Sequence, residues 1–417
     1  MSIGEAVAPV AGAERLHHVD VVRGAAILGI LVVNMGVFFA PIYVEILGPA
    51  AFDSAAELWT KRAILFFAQT KFYTTFSILF GFGLAIQLER FTSRGVTFGR
   101  FWTRRMLGLL AIGLFHAWIL WFGDILTWYA ICGLLLFLFR NAKPRTLKVW
   151  SAILLAFPTI LFTGVVLLIA VAGTIPEVAE EMQTQWEEQS ASVRAKLDES
   201  YERYPVAGFA ETLRLNFRQW AQIAAYFIFG LPMLLGIFII GLLFHRHRLF
   251  HDSAALLPKI RRSLMWLIPV AVSSTGGMVL LYGRFDPMIP TPPLLLNSVL
   301  MLVGQLSGAF TYIFLLLIAF HSPRTHRFVA PIAAVGRMAL TNYLMHTIVF
   351  TTLANGYGAG LYGRVSLTLG LLMTLGMFVI QVALSNAWLR RFRFGPMEWL
   401  WRSVTYGKFQ PMRRRAV

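Results

Sequence analysis

Apolar runs close to the length of a bilayer crossing recur along the chain, and nothing else in the sequence narrows its folding so far. A hydrocarbon layer about 30 Å thick is spanned by roughly 20 residues of helix. Such runs fall at approximately 21–40, 64–86, 104–122, 124–139, 150–173, 220–243, 263–282, 297–320, 329–351 and 367–389. Only 14% of the residues are Asp, Glu, Lys or Arg, against about 25% in a typical soluble domain. Lipid offers no partner to a bare backbone amide, and the runs are too long for the alternating strands of a barrel. The expectation is an all-α polytopic bundle of about ten spans. The 124–139 run is short enough to tilt, thin the bilayer or re-enter.

The net charge of +17 invites a nucleic-acid reading, but the basic residues sit in short clusters between apolar runs. Arg90 to Arg105, Arg140 to Lys148, Arg246 to Arg262, Arg324 with Arg327, and Arg390 to Arg415 all fall on one side of a ten-span chain. By the positive-inside rule that side is cytoplasmic. Both termini are therefore expected inside, with no nucleic-acid partner. The opposite loops carry Glu45, Asp53, Glu57 and Glu177 to Glu188. The segment before the first run has no signal-peptide pattern, and Cys132 alone builds no disulfide framework.

One long hydrophilic insertion, 174–218, is expected as an external helix or helical hairpin interrupted by Pro176 and Pro205. It divides the chain into a five-span half at 1–173 and another at 219–389, followed by a basic tail at 390–417. In that tail Gly395 and Pro396 break the last span, and Trp399 and Trp401 are suited to anchor an interfacial helix.

Polar groups inside such runs need a reason. Asp20, Arg23 and Asn34 share a face of the first span, where a guanidinium can hold phosphate oxygens or an ion pair can fix topology. Lys71 must pair, face a polar cavity or snorkel, with Thr75 on the same face. Gly81 and Gly83 permit close helix packing. His116 and Asp124 can meet across a turn at Gly123; Asp124 would then orient an imidazole able to move a proton, or merely cap a helix. Asn342 and His346, one turn apart, can face a cavity or hydrogen-bond between helices, and Arg337 lies nearby. His116, Asp124 and His346 have no close ligand spacing, so no metal is expected.

These residues resemble the YeiB-like bacterial membrane proteins, domain of unknown function 418. The resemblance rests on Asp20 to Ile30 with Asn34, Phe76 to Gly81, His116 with Gly123 to Leu126, Gly336 to Tyr343, and Phe394 to Arg402. That family is similar to membrane acyltransferases like heparan-alpha-glucosaminide N-acetyltransferase, chiefly in its first half. The resemblance implies an acyltransferase-like bundle moving an acyl group from cytoplasmic acyl-coenzyme A to an envelope glycan, lipid or small exported molecule. His116, Asp124, Asn342 and His346 would be catalytic. Asp20, Arg23, Asn34, Lys71, Arg104, Arg105 and Arg337 would hold the donor. One departure is that this chain lacks the acetyl-accepting histidine after the first span, having none between His18 and His116. The competing expectation is a transporter whose intramembrane polar groups line a solute route. Membrane lipids are expected partners, and a homodimer stays open.

Overall fold

The structure is a computed structural model; of the 417 residues it describes 15–52, 54–285, 289 and 291–414. Asp53 and Arg415, assigned above to loop charge, lie outside the described residues, as does the chain before Arg15. Among the described residues there are helices and no strands, apart from one isolated bridge between Phe392 and Arg413.

Eight helical stretches are long and apolar enough to cross a membrane. They are His17–Phe38, Ala55–Thr92, Gly99–Leu120, Pro144–Ala172, Phe209–Arg246, Ser253–Leu281, Pro292–His321 and Leu367–Arg391. The two other expected crossings are shorter. Leu126–Phe139 is a short apolar helix. The 329–351 run is broken at Met338, which joins Ile332–Arg337 to the 16-residue helix Ala339–Ala354. The chain is thus an all-α polytopic membrane bundle. Lipid-facing side chains such as Leu168, Trp266 and Val379 are exposed, as expected where hydrocarbon rather than water is the neighbour.

The 174–218 insertion forms one polar helix, Pro176–Arg203, running through a turn into Phe209–Arg246. Its register is supported by Arg203, which reaches Glu199 at 2.7 Å and Glu211 at 3.1 Å.

The first helix, His17–Phe38, is central. Lys71–Thr92, Pro292–His321, Ile332–Arg337, Ala339–Ala354 and Leu367–Arg391 all pack on it. Two crossings are close enough to require glycine on both sides. A Cβ on Gly24 would overlap the Ile332 carbonyl, and one on Gly336 would overlap the Asp20 carbonyl. At the second, Gly81 faces the Phe238 carbonyl and Gly241 the Ile78 carbonyl. Backbone contact of this kind replaces the hydrophobic drive that lipid removes. The first crossing draws Arg337 to the end of the helix that carries Asp20 and Arg23.

Candidate functional site

A cavity of about 530 Å³ lies inside the bundle beside the first helix. Asp20 and Asn34 both line it, and their separation along the helix is roughly 21 Å. The cavity is therefore elongated, with ends of different chemistry.

At the Asp20 end stand the guanidinium-bearing residues Arg15, Arg23, Arg105, Arg337 and Arg402, with the carboxylates Asp20 and Glu398. Five cations and two anions leave an excess of three positive charges (5 − 2). Asp20 is shared: it accepts from Arg15 Nε at 2.5 Å and from Arg23 Nη1 at 2.9 Å. Glu398 is occupied elsewhere. It accepts from the backbone of Leu340 at 2.6 Å and Thr341 at 3.1 Å, and from the Thr341 hydroxyl at 2.6 Å. This caps the start of Ala339–Ala354, whose first amides otherwise lack partners. Burial pushes the Glu398 carboxyl up from its ordinary range, opposed by the hydrogen bonds from Thr341.

Arg105, Arg337 and Arg402 form no salt bridge among the described residues. Arg105 lies over the Trp401 ring at 3.7 Å, Arg402 over Phe394 at 4.7 Å, and Arg337 Nε is buried without a hydrogen-bond partner. Burial lowers the Arg402 guanidinium from its ordinary value, and the charges of Arg15 and Arg23 add to that against the opposing pull of Tyr406 and Glu398. Stacked, dehydrated guanidiniums with unused N–H groups are suited to a planar or tetrahedral oxyanion.

Apart from Asn34, Thr70, Gln87 and His251, the rest of the wall is mainly apolar and aromatic: Tyr73, Phe76, Phe80, Tyr129 and Phe227 among others, reaching Gly123 and Ile125. Immediately behind that far wall is the expected pair. His116 begins a π-helical turn, His116–Leu120, at the end of Gly99–Phe115, a geometry that re-aims side chains. Its Nδ1 lies 3.0 Å from Asp124 Oδ1, and its Nε2 lies 2.9 Å from the Thr347 hydroxyl. Asp124 also accepts from the backbone of Leu126 at 3.0 Å and Thr127 at 2.7 Å. A carboxylate already accepting two amides can only accept, so Nδ1 carries the proton and Nε2 is the basic nitrogen. The helix-cap and imidazole-orienting readings of Asp124 therefore coexist. His116 is 0% exposed and does not line the cavity. Its ring meets that of Tyr343, which does, at 5.0 Å between centroids.

The other expected residues divide. Asp20, Arg23, Asn34, Arg105 and Arg337 share the cavity. Lys71 does not: its ammonium donates to the carbonyls of Leu65 at 3.2 Å and Gln69 at 3.4 Å, closing the end of Ala55–Phe67. Thr75 bonds the Lys71 carbonyl, not its ammonium. Arg104 points outward to the Val404 carbonyl at 3.2 Å. Asn342 and His346 are tied to Leu367–Arg391: Asn342 donates to Ser385 at 3.1 Å, and His346 pairs with Gln381 at 2.6 Å. Gln381 in turn donates to the Asn342 carbonyl at 3.0 Å. That is the interhelical alternative, not the cavity-facing one. Gly81 makes the close crossing expected of it, while Gly83 lines the cavity.

Sequence pattern does not mark Arg15, Glu398 or Arg402 as site residues, and it points to membrane anchoring for the tail. The helix Pro396–Tyr406 also borders the cavity through Glu398, Trp401 and Arg402, with Trp401 Nε1 donating to the Arg105 carbonyl at 2.7 Å. The signal available in sequence was Glu398, an acid three residues into a helix otherwise flanked by arginines.

Comparison with known proteins adds a family and no activity. A family model described as a protein of unknown function (DUF418) matches residues 244–408. The uncharacterized protein YxaH of Bacillus subtilis (strain 168) is 32% identical, covering 96% of this chain and 97% of its own. The uncharacterized protein YeiB of Escherichia coli (strain K12) is 29% identical over 94% of this chain and 96% of its own. No solved structure matches.

Proposed function

From the premise that the chain belongs to the YeiB-like DUF418 family of membrane proteins, we propose that it is a membrane acyltransferase taking its acyl group from a coenzyme A thioester. The observation that carries this reading is the cavity's division into a five-arginine end and an aromatic, apolar channel. A coenzyme A thioester divides in the same way, into phosphates and an extended, weakly polar arm ending at the acyl carbon. Phosphates would sit among Arg15, Arg23, Arg105, Arg337 and Arg402, where charge-assisted bonds are strongest. The arm would run past Tyr129 and Phe76 toward Gly123.

The acceptor, a hydroxyl or amine of an envelope glycan, lipid or small exported molecule, attacks the thioester carbonyl. His116 Nε2 takes the acceptor's proton, the carbon–sulfur bond breaks, and the imidazolium returns that proton to the departing thiolate. Asp124 stabilises the imidazolium. Because Nε2 is engaged by Thr347, the acceptor must displace that hydroxyl. By the positive-inside rule the basic clusters support a reading in which this arginine end, and both termini, face the cytoplasm from a bacterial inner membrane.

The test is to incubate the purified protein in lipid with labelled acetyl-coenzyme A and envelope extract, following both donor binding and labelled product. Saturable binding with transfer supports the reading. Failure of transfer over a broad donor and acceptor panel, together with solute-dependent flux in liposomes, would replace it with transport.

A further inference from the structure

Glu89, His245 and His251 come together beside the cavity, and we propose that they bind a divalent transition-metal ion. One nitrogen of each imidazole and a carboxylate oxygen of Glu89 all lie within 4.8 Å of one another. The three come from different pieces of chain. Glu89 is in the last turns of Lys71–Thr92, His245 ends Phe209–Arg246, and His251 follows the turn after it.

That turn is made at a cost. Arg248 adopts a left-handed conformation, φ 52°, uncommon for a residue with a side chain. The amides of His247 and Leu249 return to the carbonyls of Leu243 and Phe244, both at 2.9 Å. This helix-closing geometry folds His251 back until its ring is 5.3 Å from that of His245. Phe82 packs against both rings, at 5.8 and 5.7 Å.

The polar atoms are not satisfied by one another. His245 Nε2 is 3.3 Å from Glu89 Oε2, yet Nδ1 of His245 and Nδ1 of His251 are both buried with no hydrogen-bond partner among the described residues. Two imidazoles and one carboxylate suit Zn²⁺ or another first-row divalent ion, whereas Mg²⁺ and Ca²⁺ prefer all-oxygen shells. Metal–ligand bonds of about 2.0–2.2 Å require the ligand atoms to draw in. Glu89, 60% exposed in its side chain, has the freedom to do so. Of the two arginines between the histidines, Arg246 donates to the Arg140 carbonyl at 2.9 Å and Arg248 to Asp252 at 3.0 Å.

Since His251 also lines the cavity, an ion held there would lie beside the same space as the arginines. The proposal is independent of acyl transfer: a transporter or a binding protein could hold the same ion.

Untagged full-length protein in lipid, stripped with chelator, would be titrated with Zn²⁺ by calorimetry and with Co²⁺ by its visible absorption. The expected result is one equivalent per chain, with His245→Ala, His251→Ala and Glu89→Gln each weakening binding at least about tenfold. His326→Ala, whose ring is held by the Phe320 carbonyl, should leave affinity unchanged. Glu89→Gln changes a mostly exposed group, so it tests the site even if a histidine variant fails to fold. Uptake well below one equivalent, or equal affinity in wild type and Glu89→Gln, overturns the site.

Discussion

Two polar regions inside the bundle look alike in sequence and differ in structure. Between Ala339–Ala354 and Leu367–Arg391, the Asn342, His346, Gln381 and Ser385 side chains satisfy each other. At the cavity floor Arg105 and Arg402 stack on rings, Arg337 Nε has no hydrogen-bond partner among the described residues, and Asp20 answers two arginines at once. The first arrangement is what helices need to associate where lipid supplies no hydrophobic drive. The second leaves cationic hydrogen-bonding capacity facing a void. An intramembrane polar residue therefore points to a ligand when its partner is empty space, and to assembly when its partner is protein. His116 belongs to neither region: its ring nitrogens are satisfied, but it stands one ring behind the cavity wall.

The largest effect expected is at that intermediate residue. His116→Asn should lower the rate of transfer about 10²–10⁴-fold, the usual scale of general-base loss, while donor binding measured by equilibrium dialysis stays within about twofold; unchanged turnover would return His116 to the structural class. Arg337→Gln and Arg23→Gln should each weaken donor binding by roughly 10–100-fold, as one charge-assisted contact is lost, with little change in the melting of the protein in lipid. If those two variants melt early and bind normally, the floor is a structural network and the comparison fails. On the assembly side the pattern should invert: Gln381→Leu leaves His346 unpaired and should cost about 1–3 kcal/mol of stability, read from thermal unfolding, without altering donor affinity. Smallest is Lys71→Met, which removes the ammonium from the Leu65 and Gln69 carbonyls for about 1 kcal/mol and leaves donor binding as it was. A donor-affinity change there would move Lys71 back into the site.

Local pattern made much of this legible. The long crossings were visible because hydrocarbon demands uninterrupted apolar helix. The Asp20–Arg23 pair and the shared face of Asn34 followed from helical period alone. His116 with Asp124 was readable because a glycine turn keeps them eight positions apart in one hairpin. The short Ala339–Ala354 helix was misjudged in length, since the apolar run does not reveal the break at Met338. Charge in a span marks interest without marking direction, so sequence alone groups Lys71 and Arg104 with the donor site.

What the sequence determined by itself is that the protein lives in a membrane, that its helices must hide their few polar groups from lipid, and which groups those are. What tertiary structure alone decided is which of them face one another and which face the cavity. The glycine crossing at Gly24 and Gly336, and the tail folding back to bring Glu398 and Arg402 beneath Arg105, join residues hundreds of positions apart. Helical period specifies a face, but only packing of one face on another specifies what fills the space before it.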